Sequence, residues 1–231
     1  MAKKKITRKQ LLKEPDEFLV FSRRMFNFAL KNFQYVIGGL AGIILLALII
    51  IGIIAWGQSS EKNGTIKLSE AKKIFMKALE KDPQNIEKAF KSAESAFENV
   101  LNNYDSTVAG KMGSIFYANL CYETGRFNKA ISLYEKALEE FEETSSIYPL
   151  IRYNLSYAYV SNQDYEKGLK ILEKEAFSPE GLLKDDSLFL LAIVYEKMDN
   201  LEKRNQIFDM IKTGNEEALF YEIVKNRLSD S

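Results

Sequence analysis

The chain has 231 residues, with 32 basic and 32 acidic side chains, a formal net charge of zero, no histidine and one cysteine. That length suits one domain of ordinary size with additional segments, or at most two small ones. Without histidine the commonest general base and metal ligand are missing, one cysteine makes neither an internal disulfide nor a cysteine-rich zinc site, and zero net charge argues against nucleic acid as the main partner.

Residues 1–35 carry nine basic side chains (Lys3, Lys4, Lys5, Arg8, Lys9, Lys13, Arg23, Arg24, Lys31) and three acidic ones (Glu14, Asp16, Glu17), a balance of +6. Phe18, Phe21, Met25 and Phe28 fall at helical spacing within this leader, with Arg23, Arg24 and Lys31 around them. Pro15 suits a first helical turn, and Asp16 and Glu17 favour the positive end of the helix dipole. Two readings stand: an amphipathic helix on the inner leaflet, or an ordinary positive flank running into the next segment.

Residues 36–56, VIGGLAGIILLALIIIGIIAW, are 21 positions without a charged or strongly polar group. A helix of that length covers roughly 31 Å, the thickness of a bilayer's hydrocarbon core, and has no polar stripe to make it a core helix. The stretch predicts a transmembrane helix. A cleaved signal peptide has an apolar region of about 7–15 residues behind a short basic start, so cleavage after Ala55-Trp56-Gly57 is the weaker alternative. No cysteine lies near the end of the run, which excludes a lipoprotein anchor, and no second run of spanning length suggests a bundle. Positive residues stay on the cytoplasmic side, so the leader is predicted inside and residues 57–231 across the membrane. Trp56 at one end and Phe33 and Tyr35 at the other suit the interfacial aromatic belts. Gly38 and Gly42 form a G-x-x-x-G pair, read either as a homodimer contact or as the ordinary abundance of glycine in such helices.

Residues 57–231 hold the other 23 basic and 29 acidic groups, a balance of −6. Leu, Ala, Phe and Tyr recur there at three- and four-residue spacing, so the domain is predicted all-α. Pro83, Pro149 and Pro179 interrupt the pattern, and Gly125 and Gly214 read as turns or caps. Gly125 to Ala130, followed by Tyr134 and Ala137, fits the second helix of a tetratricopeptide hairpin, with Tyr117, Ala118 and Cys121 on the first helix. The next unit runs Leu155, Ser156, Tyr159, Tyr165, Gly168, Leu172, and a third runs Leu191, Ala192, Tyr195, Leu201, Phe208, Ile211. Earlier second-helix halves are read in Ala71/Phe75/Ala78/Pro83 and in Ala93/Phe97/Val100. The small position recurs at Ala93, Ala130, Gly168 and Arg204, with spacings of 37, 38 and 36 residues. Arg204 is too large for it, which predicts a splayed last unit or a degenerate cap. Residues 215–229 read as a terminal amphipathic helix covering the exposed end of the stack. The predicted fold class is therefore all-α, an N-terminal single transmembrane helix followed by a tetratricopeptide-like α-solenoid.

Stacked hairpins present a groove lined by their first helices. Counting from the packing positions, its candidate lining is Met112, Ile115, Asn119, Tyr122, Tyr153, Tyr157, Val160, Phe189 and Ile193. That aromatic and aliphatic surface suits an apolar peptide better than a carboxylate terminus; the other reading is that several of these side chains are core. No catalytic, cofactor-binding or metal-ligating constellation is visible, and runs such as Glu139-Glu140 and Glu142-Glu143 read as solvated faces. Cys121 reads as a small core residue.

A short basic tail, one span ending near a tryptophan and a degenerate repeat domain together resemble the YfgM-like proteins of Gram-negative bacteria, ancillary subunits of the SecYEG translocon. The stretches Ile151 to Ala158, Gln163 to Leu169, Leu191 to Asn200 and Lys225 to Ser229 carry the likeness. The resemblance implies an inner-membrane protein whose periplasmic domain works beside the translocon with a membrane-anchored periplasmic chaperone, assisting secreted polypeptides. The leader is longer and richer in lysine than that family would lead one to expect. The alternative function is a structural scaffold in cell-wall or outer-membrane assembly, to whose repeat proteins the segment Phe97 to Ala109 is similar.

Overall fold

The computed structural model describes residues 17–178, 183–213 and 220–229, and their regular structure is all helical. Pro15, Asp16, Pro179, Gly214 and residues 215–219 of the expected terminal helix lie outside the described residues. The helices are α1 (Glu17–Lys31), α2 (Phe33–Lys81), α3 (Ile86–Asn103), α4 (Val108–Glu123), α5 (Phe127–Glu140), α6 (Tyr148–Ser161), α7 (Tyr165–Ala176), α8 (Lys184–Lys197), α9 (Leu201–Thr213) and α10 (Tyr221–Ser229). Two compact units divide between Gln58 and Ser59.

In the first unit, α1 ends where the Asn32 side-chain amide donates to the Phe28 carbonyl at 3.0 Å. Phe18, Phe21, Met25 and Phe28 are all exposed on α1. The apolar segment forms the early part of α2, with a mean hydropathy of 3.0 over 18 residues, none of them buried. By length and composition this helix is able to cross a membrane once.

The second unit contains the end of α2 and all later helices. Asp82-Pro83 closes α2, because the ring of proline disfavours helical geometry in the residue before it. The Asn85 side chain then accepts the Lys88 amide at 3.0 Å and caps α3. Ala71 and Phe75 therefore sit on the leading helix of the first hairpin, and not on a second helix as the sequence pattern suggested; small and aromatic residues alternate on both helices of such a pair. Gly64 permits the approach of α2 to the loop before α4, since an added Cβ would lie 3.0 Å from the Thr107 hydroxyl oxygen. At that loop the two carboxylate oxygens of Glu61 accept the amides of Val108 and Ala109 at 2.8 and 3.0 Å. Two of the unpaired donors at the start of α4 are thus held by a charge from α2.

From α3 to α10 each helix packs on its neighbours in the chain, and α4 also touches α6, the arrangement of a solenoid. The first helices α4, α6 and α8 end alike. Gly125, Gln163 and Asp199 take positive φ of 73°, 66° and 58°, and the next amide in each case bonds back to the carbonyl of Cys121, Tyr159 or Tyr195. This is a Schellman motif repeated three times. Ala93 and Ala130 are fully buried at their crossings, and a Cβ on Gly168 would meet Val160 Cγ2 at 2.8 Å. Arg204 does not splay its unit. Its guanidinium turns along α9 to Asn205 Oδ1, at 2.8 and 3.0 Å, which leaves Ile207, Phe208 and Ile211 buried.

Candidate peptide-binding groove

Residues three and four apart on a helix share a face, so Asn119, Tyr122 and Glu123 of α4 project together, as do Tyr153, Asn154 and Tyr157 of α6. With Tyr134 of α5 they line a cavity of about 330 Å³. The Tyr134 hydroxyl donates to Asn119 Oδ1, and the Asn154 amide donates to the same oxygen at 3.4 Å. That shared acceptor ties α4, α5 and α6 together at the base of the cavity. Tyr157 stands edge-on to Tyr122, with centroids 6.3 Å apart, and to Tyr153 at 5.2 Å. The Tyr122 hydroxyl also shares a hydrogen bond of 3.1 Å with Ser161. Burial pushes the Tyr134 and Tyr153 phenols well above their ordinary value, so both remain neutral donors at physiological pH.

Four of the nine residues expected to line the groove, Asn119, Tyr122, Tyr153 and Tyr157, meet in this cavity. Ile115 and Val160 are buried in the cores, and Met112 is half-buried against the first of them. Phe189 stacks on Phe220 at 4.3 Å, and Ile193 lines a separate depression with Glu196, Lys197 and Arg227. Glu123, Tyr134 and Asn154 were not expected there. One-turn spacing from Asn119 and from Tyr157 points to the first and last of these. Tyr134 reads as a packing residue, because its ring is core while its hydroxyl reaches the cavity.

Another set of contacts recurs along the stack. The first-helix tyrosines Tyr117, Tyr159 and Tyr195 reach back to acids on the preceding second helix: Glu94 and Glu98, Glu135, and Glu173. A lysine from the following second helix lies over each ring, Lys129 at 4.7 Å, Lys167 at 5.1 Å and Lys203 at 5.0 Å. Burial pushes the Tyr117 and Tyr195 phenols up to about 12. Cys121 is fully buried beside this set, and burial pushes its thiol up to about 11, far from a thiolate nucleophile.

A family model described as a tetratricopeptide repeat-like domain matches residues 31–180. The chain belongs to that family. The tetratricopeptide-like match takes in the apolar segment of α2 together with the hairpins that build the cavity. Repeats of this kind are surfaces for binding other proteins, and the chain's stacked hairpins fit that role. No match to a curated protein is found.

Proposed function

We propose that the protein is a single-pass inner-membrane protein whose repeat domain lies in the periplasm and binds polypeptides beside the SecYEG translocon. In this reading α2 anchors the chain, the +6 leader stays in the cytoplasm, and the groove at Tyr122, Tyr153 and Tyr157 meets secreted chains or a membrane-anchored chaperone. The observation that carries it is the presence, in one chain, of an exposed apolar helical segment and a protein-binding repeat stack with an aromatic cavity. The sequence likeness to YfgM-like proteins supplies the translocon as partner.

A photo-crosslinking residue at Tyr157, in the full chain expressed in Gram-negative membranes, tests the partner directly. Translocon subunits or secreted polypeptides are expected among the crosslinked proteins. Recovery of cell-wall or outer-membrane assembly factors alone would favour the scaffold reading instead. Protease added to intact spheroplasts is expected to remove the repeat domain and spare the leader, and the reverse pattern would reject the orientation.

A further inference from the structure

We propose that the cavity between Tyr122, Tyr153 and Tyr157 is a subsite for a basic side chain, lysine or arginine, of a bound polypeptide segment, with Glu123 as its counter-charge. The proposal rests on the groove reading above and names what the groove selects.

Three observations carry it. The first is ring geometry: Tyr157 makes interplanar angles of 83° with Tyr122 and 74° with Tyr153. Successive near-perpendicular rings form walls around a space, where a flat stack would close it. Aromatic faces within about 6 Å of a cation attract it through the ring quadrupole, and perpendicular rings surround such a charge from several sides.

The second observation is a contrast within the molecule. Several other rings carry one of the chain's own cations: Lys72 lies 3.3 Å from the Phe116 centroid, Arg126 4.1 Å from Phe90, and Lys129 4.7 Å from Tyr117. Among the described residues, none of these cation–ring contacts falls on Tyr122, Tyr153 or Tyr157. The cavity lining contains no lysine or arginine.

The third is charge. Glu123 stands exposed in the lining, and carboxylates act on the neighbouring phenols: Glu123 on Tyr134, after burial, Tyr122 and Cys121, and Asp186 on Tyr153, after burial and Tyr157. Residues 57–231 sum to −6, with 23 basic and 29 acidic groups. A carboxylate ligand would meet repulsion here, and an aliphatic one would leave the Glu123 charge unanswered.

The test uses the full-length protein in phosphatidylcholine nanodiscs at about 0.15 M salt, with empty nanodiscs as the blank. Three fluorescently labelled peptides, acetyl-Ser-Ala-Leu-Xaa-Leu-Ala-Ser-amide with lysine, norleucine or glutamate at the centre, are titrated by anisotropy. The lysine peptide is expected to bind about tenfold tighter than the norleucine peptide, with glutamate weakest. Glu123→Gln should remove most of that preference without shifting the helical melting curve, and Tyr157→Leu should remove it with the helical signal retained at the temperature of the titration. Equal binding of all three peptides would overturn the basic-side-chain subsite and keep a groove for polypeptides. Binding of none, with crosslinks through Tyr157 still recovered, would overturn the subsite and leave the proposed function standing. A lysine preference that survives both substitutions would also overturn it, because the selectivity would then lie elsewhere.

Discussion

Gly125, Gln163 and Asp199 hold the same left-handed position at the end of three successive first helices, yet only one of them is glycine. A residue with a Cβ costs roughly 1–2 kcal/mol in that conformation, whereas glycine enters it freely. Nothing lies within 4 Å of a Cβ built on Gly125, so a substitution there would be charged for conformation alone. Gly125→Ala is therefore expected to lower stability by about 1 kcal/mol in urea unfolding. Gln163→Gly should raise it by less than about 1 kcal/mol, because relief of strain is partly offset by a more flexible unfolded chain. Opposite signs at equivalent positions are the check: two losses would mean that side-chain contacts, and not φ, set the effect. In the sequence Gly125 announces its turn. Gln163 and Asp199 do not, since neither carries the glycine signature, and only their spacing from Gly125 places them.

Between elements, charges join helices both within a hairpin and from one hairpin to the next, and their burial decides their weight. Arg152 of α6 meets Glu175 of α7 at 3.3 Å, with side chains only 15% and 6% exposed. Removing one partner of such a pair strands the other, at a cost of about 3–5 kcal/mol, while replacing both with apolar side chains is near neutral. Arg152→Met alone is thus expected to destabilise strongly, and Arg152→Met with Glu175→Leu to recover most of the loss; a double variant no better than the single one would show the pair to be favourable in itself. The half-exposed pair of Arg126 and Glu87 is different in kind. Arg126 holds both oxygens of Glu87 at 2.8 Å and keeps its carboxyl down at about 2, from an ordinary 4.5, against a smaller opposing effect of burial and with help from Lys91. A depressed folded-state value gives stability that is fully present above about pH 4.5 and lost as pH falls through about 2. The stability difference between the native chain and Glu87→Gln should therefore shrink across that window and vanish below it, whereas a difference unchanged at pH 2 would exclude the ion pair as its source. The helices, and from Ala93 onward their register of small and aromatic residues, were legible from periodicity, because 3.6-residue spacing follows directly from burying one face; before that, Ala71 and Phe75 were read onto the wrong helix of their pair. These pairs between helices were not, since partners such as Glu87 and Arg126 lie 39 residues apart and only the stacking brings them together.

At the scale of the repeat domain the buried residues fall into two clusters, one from Leu68 to Tyr159 and the other from Val160 to Val224. The division runs along α6, which gives Ile151, Leu155, Ala158 and Tyr159 to the first and Val160 to the second. The cavity straddles the same division: Tyr122 packs on the first cluster, while Tyr153 and Tyr157 pack on the second. Its shape is therefore set where the two clusters meet. The sequence marks each helix face but not the division between cores. In a stack whose repeats contact only their neighbours, stability is close to a sum of local terms, so damage in one cluster need not reach the other. Phe208 is almost fully buried in the second cluster, and Phe208→Ala is expected to remove about 3–5 kcal/mol there. Hydrogen exchange followed by mass spectrometry should then show faster exchange in α8, α9 and α10, with α3, α4 and α5 still protected. Uniform loss of protection from α3 to α10 would instead mean that the clusters unfold as one. In that case the division along α6 would not separate two independently stable parts, and the cavity would be as rigid as the core on either side of it.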